Sequence, residues 1–253
     1  MNTTGNTILI TGGGSGIGRA LAEAFHQRGN QVIVAGRRQE ALDDVATANP
    51  GIATAVLDVT DVADIDRFTQ EIARTHPGLN VVINNAGIMR AENWAAENVD
   101  TATAHATIAT NLVAPILLTA GLLPLLRKQQ QATVVTVSSG LAFVPLAVTP
   151  TYCATKAAIH SFSESLRHQL KDTTVDVVEI APPYVQTELM GAHQATDPNA
   201  MPLAAFIDEV VQILDTQPNA EEVLVQRVHP QRFAAEKGQA SYKEFFAKVN
   251  GKR

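Results

Sequence analysis

The chain has little cysteine, few aromatic residues and no excess of positive charge. Its 253 residues include one cysteine, Cys153, so an intramolecular disulfide is excluded and a reducing, cytoplasmic location is expected. With no histidine beside it in sequence, Cys153 is interpreted as a small packing residue; a nucleophile is the alternative. The net charge of −6 and the aromatic content of 5% argue against a nucleic acid partner, because phosphate backbones attract basic surfaces.

Long apolar runs and metal-binding patterns are also missing. The most apolar stretch, residues 112–126, is interrupted by Pro115 and Pro124 and is shorter than the roughly 20 residues that span a bilayer. We interpret it as a buried helix and expect no membrane insertion. The first six residues have neither a basic region nor an apolar run, so no signal peptide is expected. No set of Cys and His has ligand spacing, so no metal site is predicted.

The sequence instead alternates short apolar segments with segments of helical period. With 45% hydrophobic and 17% charged residues, it suits one nucleotide-binding α/β domain over residues 1–253. Strands are predicted at 7–10, 32–35, 53–57, 81–83, 133–137, 175–180 and 222–225; helices are predicted at 17–28, 39–47, 62–74, 151–170, 204–214 and 242–249, with two more inside 99–128. This alternation predicts a doubly wound parallel sheet with helices on both faces and ligands at the carboxyl ends of its strands.

A glycine cluster follows the first strand. The run from Thr11 reads T-G-x-x-x-G-x-G, with glycines at 12, 16 and 18. Glycines let the backbone approach a pyrophosphate, and the N-terminus of the next helix presents free N–H groups and a positive dipole end. A glycine cluster alone is usually a turn, but strand, glycines and helix in this order predict a dinucleotide site.

Two arginines follow the second strand, where an NAD site usually has an acid that holds the ribose. The turn reads Ala-Gly-Arg-Arg and ends in Arg37 and Arg38. Guanidinium groups suit a 2′-phosphate through charge and fork geometry. We therefore predict that NADP(H) is preferred and that NAD(H) is possible; the alternative is a pair of helix-surface arginines.

Polar residues also follow the third and fourth strands. Asp58 is predicted to bind the N6 amine of adenine. The alternative is that it caps the next helix, a role for which Asp61 is a second candidate. The run 84–87, Asn-Asn-Ala-Gly, either lines the ribose edge or stabilises a turn.

A tyrosine and a lysine are spaced for proton transfer. Tyr152 and Lys156 fall on one face of a predicted helix, and an ammonium beside a phenol favours the phenolate. Lowering the pKa of a free tyrosine from near 10 to neutral pH needs about 4 kcal/mol of stabilisation of the phenolate. Ser139, at the end of the fifth strand, would add a second donor. The alternatives are a surface helix contact for the pair and a cap or strand-end hydroxyl for Ser139.

Together these motifs resemble the short-chain dehydrogenase/reductase family. The matching residues span about 7–190 and occur in the family's order: the glycine turn 11–18, Asp58, the run 84–87, Asn111, Ser139, Tyr152 and Lys156. The segments 138–143, 152–156 and 181–183 further resemble the DltE-type oxidoreductases, a subgroup whose substrates are poorly defined. The resemblance implies a Rossmann-like sheet of about seven parallel strands and hydride transfer between NAD(P)(H) and a carbonyl or secondary alcohol.

The resemblance also implies residue roles. Tyr152 would be the acid–base residue, Lys156 would lower the pKa of that phenol and hold the nicotinamide ribose, and Ser139 would bind the substrate oxygen. Asn111 would hold a water that links Lys156 to solvent, unless it is a polar break in a helix. The expected cofactor-binding residues are Gly12, Ser15, Gly16, Ile17, Gly18, Arg37, Arg38, Asp58, Val59, Asn85, Ala86, Gly87, Tyr152, Lys156, Pro182, Val185 and Thr187.

One departure from the family's pattern follows the sixth strand, where Pro182-Pro183 replaces the usual Pro-Gly. Pro183 lacks an N–H, fixes its own φ and pushes Pro182 towards an extended conformation. Val185 and Thr187 still match the positions that meet the carboxamide, so cofactor binding is expected to be retained on an altered loop path.

The substrate side is predicted to be apolar. Its candidate walls are Leu141, Phe143, Tyr184, Leu189, Met190, Met89, Trp94 and His193. These favour a hydrophobic ketone, although core packing explains the same residues, and no basic group marks an anionic substrate. The irregular segment near 188–205 is predicted to be a mobile lid. Helices 112–126 and 151–170 suggest a homodimer or homotetramer.

Two other functions remain open at this point. A nucleotide-binding sensor or scaffold could keep the fold without turnover, but such a protein need not keep all four of Asn111, Ser139, Tyr152 and Lys156. A synthase or epimerase that uses transient oxidation would show no net consumption of NADPH.

Overall fold

Seven parallel strands form a sheet in the computed structural model, which describes residues 1–251. The strands are β1 Thr7–Thr11, β2 Gln31–Gly36, β3 Ala53–Val56, β4 Val81–Asn84, β5 Ala132–Val137, β6 Val175–Ile180 and β7 Glu222–Val223. Their order is β3-β2-β1-β4-β5-β6-β7, and every neighbouring pair is parallel. The predicted doubly wound sheet is confirmed; residues 252 and 253 of the predicted domain lie outside the described residues.

Helices cover both faces of this sheet. They are α1 Gly16–Gln27, α2 Gln39–Ala48, α3 Val62–Thr75, α4 Thr101–Ile108, α5 Ala114–Leu126, α6 Pro150–Leu170, α7 Ala192–Ala195, α8 Leu203–Thr216, α9 His229–Arg232 and α10 Gln239–Asn250. Alternate side chains of one strand point to opposite faces. Accordingly, Ile8 and Ile10 pack in the core under α1, α2 and α8, whereas Leu9 packs in the core under α3 and α5.

The order of the strands reverses beside β1. β1 pairs with β2 on one side and with β4 on the other. The crossovers therefore leave in opposite directions from this point, which opens a crevice at the carboxyl ends of the strands. The segments that follow β1, β4, β5 and β6 meet there.

The region predicted to hold two helices is one continuous helix, Thr101–Leu126, in which α4 and α5 are joined by a π-helical segment, Ala109–Val113. Two α-helices, α4 and α5, therefore lie inside 99–128 as predicted. The π-turn that joins them was not predicted, because its extra residue shifts the apolar period without ending the helix. By length and composition the whole helix could cross a membrane, with a mean hydropathy of 1.8, so the shortness of 112–126 no longer argues against it. In the structure it packs against α3 and α6.

Other departures from prediction lie near the C-terminal half. β7 ends at Val223, two residues early. The N–H groups of Glu179 and Ala181 donate towards β7, and the next position in this alternation, Pro183, has no N–H to extend the ladder. The segment α9 was missed because four residues are too few to show a helical period. The predicted lid contains the single turn α7, and its last residues, 203–205, belong to α8.

Candidate functional site

A cleft of about 660 Å³ opens at the carboxyl ends of the strands. Most of the predicted site residues line it, namely Gly12, Ser15, Gly16, Ile17, Arg38, Asn85, Ala86, Gly87, Ser139, Tyr152, Lys156, Pro182, Val185 and Thr187. Gly18, Arg37, Asp58, Val59 and Asn111 are not among the lining residues. The nucleotide half and the proton-transfer half of the prediction thus share one space.

The glycine turn has the backbone that a pyrophosphate site needs. Gly12 and Gly16 have φ of 66° and 54°, where side chains are disfavoured, and a Cβ on Gly12 would lie 2.9 Å from the Cα of Ala86. Ser15 does not cap α1 with its side chain, and the first turn holds no acidic residue. The backbone N–H groups at this helix end therefore remain available to an anion, which fits the phosphates of a dinucleotide.

Gly18 serves packing rather than the lining of the cleft. A Cβ at this position would collide with the carbonyl oxygen of Gly12 and the amide of Asn85. Asn85 donates from Nδ2 to the Thr11 carbonyl (2.9 Å), and the Thr11 hydroxyl accepts from the Ala86 N–H (3.1 Å). The run 84–87 therefore stabilises the turn and also lines the cleft, which joins the two interpretations made from sequence.

The two arginines and Asp58 lie at the nucleotide end. Arg37 and Arg38 are both exposed, and their side chains make no hydrogen bond or ion pair within residues 1–251. Asp61 accepts from the N–H of Ala63 (2.9 Å) and is the cap of α3, so Asp58 does not have that role. Asp58 instead accepts from the N–H and hydroxyl of Thr60, which hold the pKa of its carboxyl below the usual range, and the charge of Arg37 adds to this effect.

Tyr152 and Lys156 lie in the interior and not on a helix surface. They are 6% and 5% exposed, and the Lys156 Nζ lies 5.6 Å from the centroid of the Tyr152 ring. Nζ donates to the carbonyl of Val137, the last residue of β5, at 2.7 Å. This bond uses one of three N–H groups and leaves two for other acceptors. The surface-contact alternative is therefore wrong.

Burial acts on both groups in the direction of neutrality. It raises the pKa of the Tyr152 phenol, which the neighbouring Ser139 hydroxyl partly opposes. It lowers the pKa of Lys156 to about 8, against the attraction of Glu179. Lys156 thus remains mainly protonated at neutral pH, while the phenol keeps its proton.

Ser139 has the capping role considered for it, and its hydroxyl proton stays available for the other role. Its Oγ accepts from the N–H of Leu141 (3.1 Å) and caps a short 3-10 turn, Gly140–Ala142. A hydroxyl that accepts one bond still has a proton to donate. The N–H of Gly140 donates to the Pro182 carbonyl (2.8 Å), so the loop after β6 fixes the Ser139 turn.

Asn111 lies behind the cleft in the π-helical segment. Its Oδ1 accepts from the N–H of Ile88 (2.9 Å), and its Nδ2 donates to the Ile88 carbonyl (2.8 Å). A Cβ on Gly87 would lie 3.4 Å from this Oδ1 and 3.8 Å from the Lys156 Nζ, so both polar groups face Gly87. The helix is widened rather than broken here, and the water-relay role stays a prediction.

The start of α6 depends on a residue that sequence reasoning missed. The Glu92 carboxylate accepts from the N–H and hydroxyl of Thr151 (3.0 and 2.7 Å) and from the indole of Trp94 (3.1 Å). It therefore holds the residue before Tyr152. Glu92 lies in an irregular segment fifty-nine positions away, so no local signal identifies it.

The substrate walls agree only in part with the prediction. Met89 and Leu189 line the cleft. Leu141 and Met190 pack around Met89 and Tyr152. The remaining candidates are absent from the lining: Phe143 packs on His160 and Arg232, the Tyr184 hydroxyl donates to Asp197, Trp94 is 57% exposed, and His193 is exposed.

Several lining residues were not named from sequence as site residues: Ile88, Arg90, Val137, Ser138, Pro183, Glu188, Gln194 and Leu203. Arg90 is a basic group on the cleft that the expectation of no basic mark for an anionic substrate did not take into account. Most of these follow strand ends, a position that could have identified them. Gln194 could not have been found this way, because it is buried by contacts specific to its loop, to the Val185 carbonyl (2.8 Å) and the Thr187 hydroxyl (3.0 Å).

Comparison with known proteins agrees with this geometry. A family model described as short chain dehydrogenase matches residues 6–198. The chain is 46% identical over 189 residues to the uncharacterized oxidoreductase DltE of Bacillus subtilis (strain 168), covering 75% of each chain. The chain belongs to the short-chain dehydrogenase/reductase family. It is therefore an oxidoreductase that acts on CH–OH or C=O groups with a nicotinamide cofactor.

Two solved structures share the fold of this dehydrogenase/reductase. A short chain dehydrogenase from Burkholderia cenocepacia J2315 in complex with NADP has a TM-score of 0.80 at 24% identity, covering 98% of this chain and 99% of the other. One from Burkholderia phymatum in complex with NAD has a TM-score of 0.80 at 18% identity, covering 94% and 95%. At these identities the likeness shows the fold and leaves the choice between the two cofactors open.

Proposed function

We propose that this enzyme is an NADP(H)-dependent carbonyl reductase or secondary alcohol dehydrogenase that acts on a hydrophobic ketone. The observation that carries the proposal is that Ser139, Tyr152 and Lys156 line the same cleft as the glycine turn. A carbonyl that takes a hydride develops negative charge on oxygen, so it needs a proton donor and a second hydrogen-bond donor nearby.

The residues divide this work as follows. Tyr152 donates its phenolic proton to the substrate oxygen, and Ser139 donates a hydrogen bond to the same atom. The Lys156 ammonium stabilises the phenolate that remains, while Asn111 holds the loop at Ile88 and a water that returns protons from solvent. When bound, the nicotinamide ring supplies the hydride, or accepts it in the oxidative direction.

The NADP(H) preference rests on the exposed, unpaired Arg37 and Arg38. A 2′-phosphate could bind these guanidinium groups without breaking any side-chain hydrogen bond or ion pair within residues 1–251. Asp58 and Val59 would hold the adenine, with Asp61 occupied as the helix cap.

The preference for an apolar ketone rests on Met89 and Leu189, which line the cleft with Tyr152. Arg90 lines the same cleft and is exposed. The substrate is therefore an apolar carbonyl compound with room for a polar end group at Arg90.

Assembly and location remain predictions. Ile108 and Val113, on the long helix, are 41% and 40% exposed, and this helix packs beside α6. Burial of such side chains against a second copy is the physical reason to expect a homodimer or homotetramer. A cytoplasmic location rests on the single, unpaired Cys153.

The proton-donor role predicts the effect of Tyr152→Phe. A screen of NADPH oxidation with aliphatic, aryl and cyclic ketones identifies a substrate. With it, Tyr152→Phe should lower kcat about 10²- to 10⁴-fold, because the proton donor is lost, while the Kd for NADPH changes little. Tyr242→Phe, on α10 and away from the cleft, is the matched control and should behave like the wild type. Turnover by Tyr152→Phe at the wild-type rate would refute the mechanism, and a protein that oxidises no NADPH with any ketone would favour the sensor or epimerase alternatives.

The arginines predict a change of cofactor preference. The double variant Arg37→Ala/Arg38→Ala should lower the NADPH/NADH ratio of kcat/KM about tenfold or more, since each charge-assisted bond contributes roughly 1.5–3 kcal/mol. Arg74→Ala, an exposed arginine on α3, should leave the ratio unchanged. An unchanged ratio in the double variant would show that the two arginines do not read the 2′-phosphate.

The lid predicts protection from proteolysis. The segment 188–202 is attached through Gln194 and through a bridge between Val185 and Met201, and its remaining residues are mostly exposed. Closure over the cleft should slow cleavage there when NADPH is added. Limited proteolysis followed by mass mapping measures this rate, with cleavage elsewhere in the chain as the internal control. Equal rates with and without NADPH would mean that the segment does not close.

A further inference from the structure

A second group of ionisable side chains lies behind Lys156. Glu179 on β6 is fully buried, and its Oε2 accepts from the Nδ1 of His160 at 2.8 Å. The other oxygen, Oε1, is buried and has no hydrogen-bond partner within the described chain. A buried carboxylate with one unpartnered oxygen is costly, so Glu179 calls for a functional explanation.

The surroundings of His160 favour an ion-pair cluster over a metal centre. Ligand-type atoms of His160, Glu179 and Glu222 lie within 4.8 Å of one another. Arg232, however, pairs with both oxygens of Glu222 (2.8 and 2.9 Å) and already supplies the cation. Glu164 also faces the imidazole, at 3.9 Å, from the exposed side of α6.

The cluster is connected to Lys156 through α6 and the sheet. His160 follows Lys156 by four residues, one turn further along α6, on the same face. Glu179 pairs in register with Thr136 of β5, the residue before Val137, whose carbonyl holds the Lys156 ammonium. Glu179 and Lys156 therefore lie near each other at the carboxyl ends of β5 and β6.

The protonation state of His160 decides how much of this charge reaches Lys156. A protonated imidazole offsets the charge of Glu179, whereas a neutral imidazole leaves that charge to be opposed by the Arg232 guanidinium. The hydrogen bond to Glu179 raises the pKa of His160, with smaller contributions from the charges of Glu179, Glu164 and Glu222. Glu179 in turn opposes the burial that lowers the pKa of Lys156. As the pH rises, His160 loses its proton and no longer offsets the charge of Glu179. This happens as the pH approaches the range in which Lys156 would lose its own proton.

We propose that Glu179 is a positioning residue that keeps Lys156 in its charged form, and that His160 sets how strongly it does so. This inference rests on the proposed role of Lys156 in the function above. Glu179 touches neither the cleft nor a reacting atom, since it is absent from the cleft lining. It acts through the lysine.

The titration of Lys156 can be measured without a substrate. The chain has seven lysines, so protein labelled with ¹³Cε-lysine gives few NMR signals, and Lys156→Arg assigns the one of interest. Glu179→Gln keeps the shape but removes the charge, and should lower the Lys156 midpoint by about half a pH unit or more. His160→Gln removes the titratable cation that pairs with Glu179, so the Lys156 midpoint should stay or rise. Glu164→Gln, at an exposed carboxylate beside the same imidazole, is the control and should change it little.

The two variants separate this role from a structural one, because Glu179→Gln should lower the Lys156 midpoint and His160→Gln should not. The proposal would be overturned if Glu179→Gln left the Lys156 midpoint within about 0.2 pH unit of the wild type. It would also be overturned if His160→Gln lowered this midpoint as much as Glu179→Gln does. If Glu179→Gln fails to fold, the direction seen with His160→Gln decides. If the shifts appear but the protein reduces no ketone, the Lys156–Glu179 coupling is retained and the proposed function is rejected. If the protein reduces a ketone but the shifts are absent, the proposed function is retained and the coupling is rejected.

Discussion

The structure depends on keeping one tyrosine and one lysine in the interior at the end of a parallel sheet. Lys156 can be buried there because its ammonium donates to the Val137 carbonyl, at the carboxyl end of β5. That bond fixes α6 against the sheet and therefore places Tyr152 one turn earlier. Burial strengthens electrostatic interactions, but it also opposes the phenolate, so the site has to supply positive charge. Loops after three strands, β4, β5 and β6, are arranged around this requirement: Pro182 holds Gly140, beside Ser139, and Asn111 holds Ile88.

The nucleotide half of the cleft is built by close backbone approach and not by charged side chains. Gly18 lets α1 touch the turn at Gly12, and Asn85 connects that turn to the end of β4. The helix end is left without a side-chain cap, as a site for phosphates requires. The two halves meet because β1, β4, β5 and β6 end on the same edge of one sheet. The Glu179–His160 pair lies behind Lys156, away from the cleft, and is proposed to act on the charge of that lysine.

Much of this was predictable from sequence because its signals are local. Apolar strands between amphipathic helices gave the sheet, and the glycine spacing and the Tyr152–Lys156 pair placed both halves of the cleft. What could not be predicted depends on contacts distant in sequence or on small changes of period. The carboxylate of Glu92 reaches Thr151 across a long interval, Gln194 is buried by its own loop, and the π-turn at Asn111 hides in a continuous apolar helix. Phe143 was a candidate substrate wall, but it packs edge-on against His160 and beside Arg232 instead.

We propose that Tyr152 ionises in the working pH range when the positive charge of bound NADP⁺ adds to that of the Lys156 ammonium. An ultraviolet difference titration of the phenolate measures this directly, since the chain has three tyrosines and Tyr152→Phe subtracts the signal of one. Without cofactor, Tyr152 should stay protonated beyond the pH at which a free tyrosine, with a pKa near 10, ionises. With saturating NADP⁺ its midpoint should move down by more than about one unit, towards neutral pH. A midpoint that is the same with and without NADP⁺ would contradict the account.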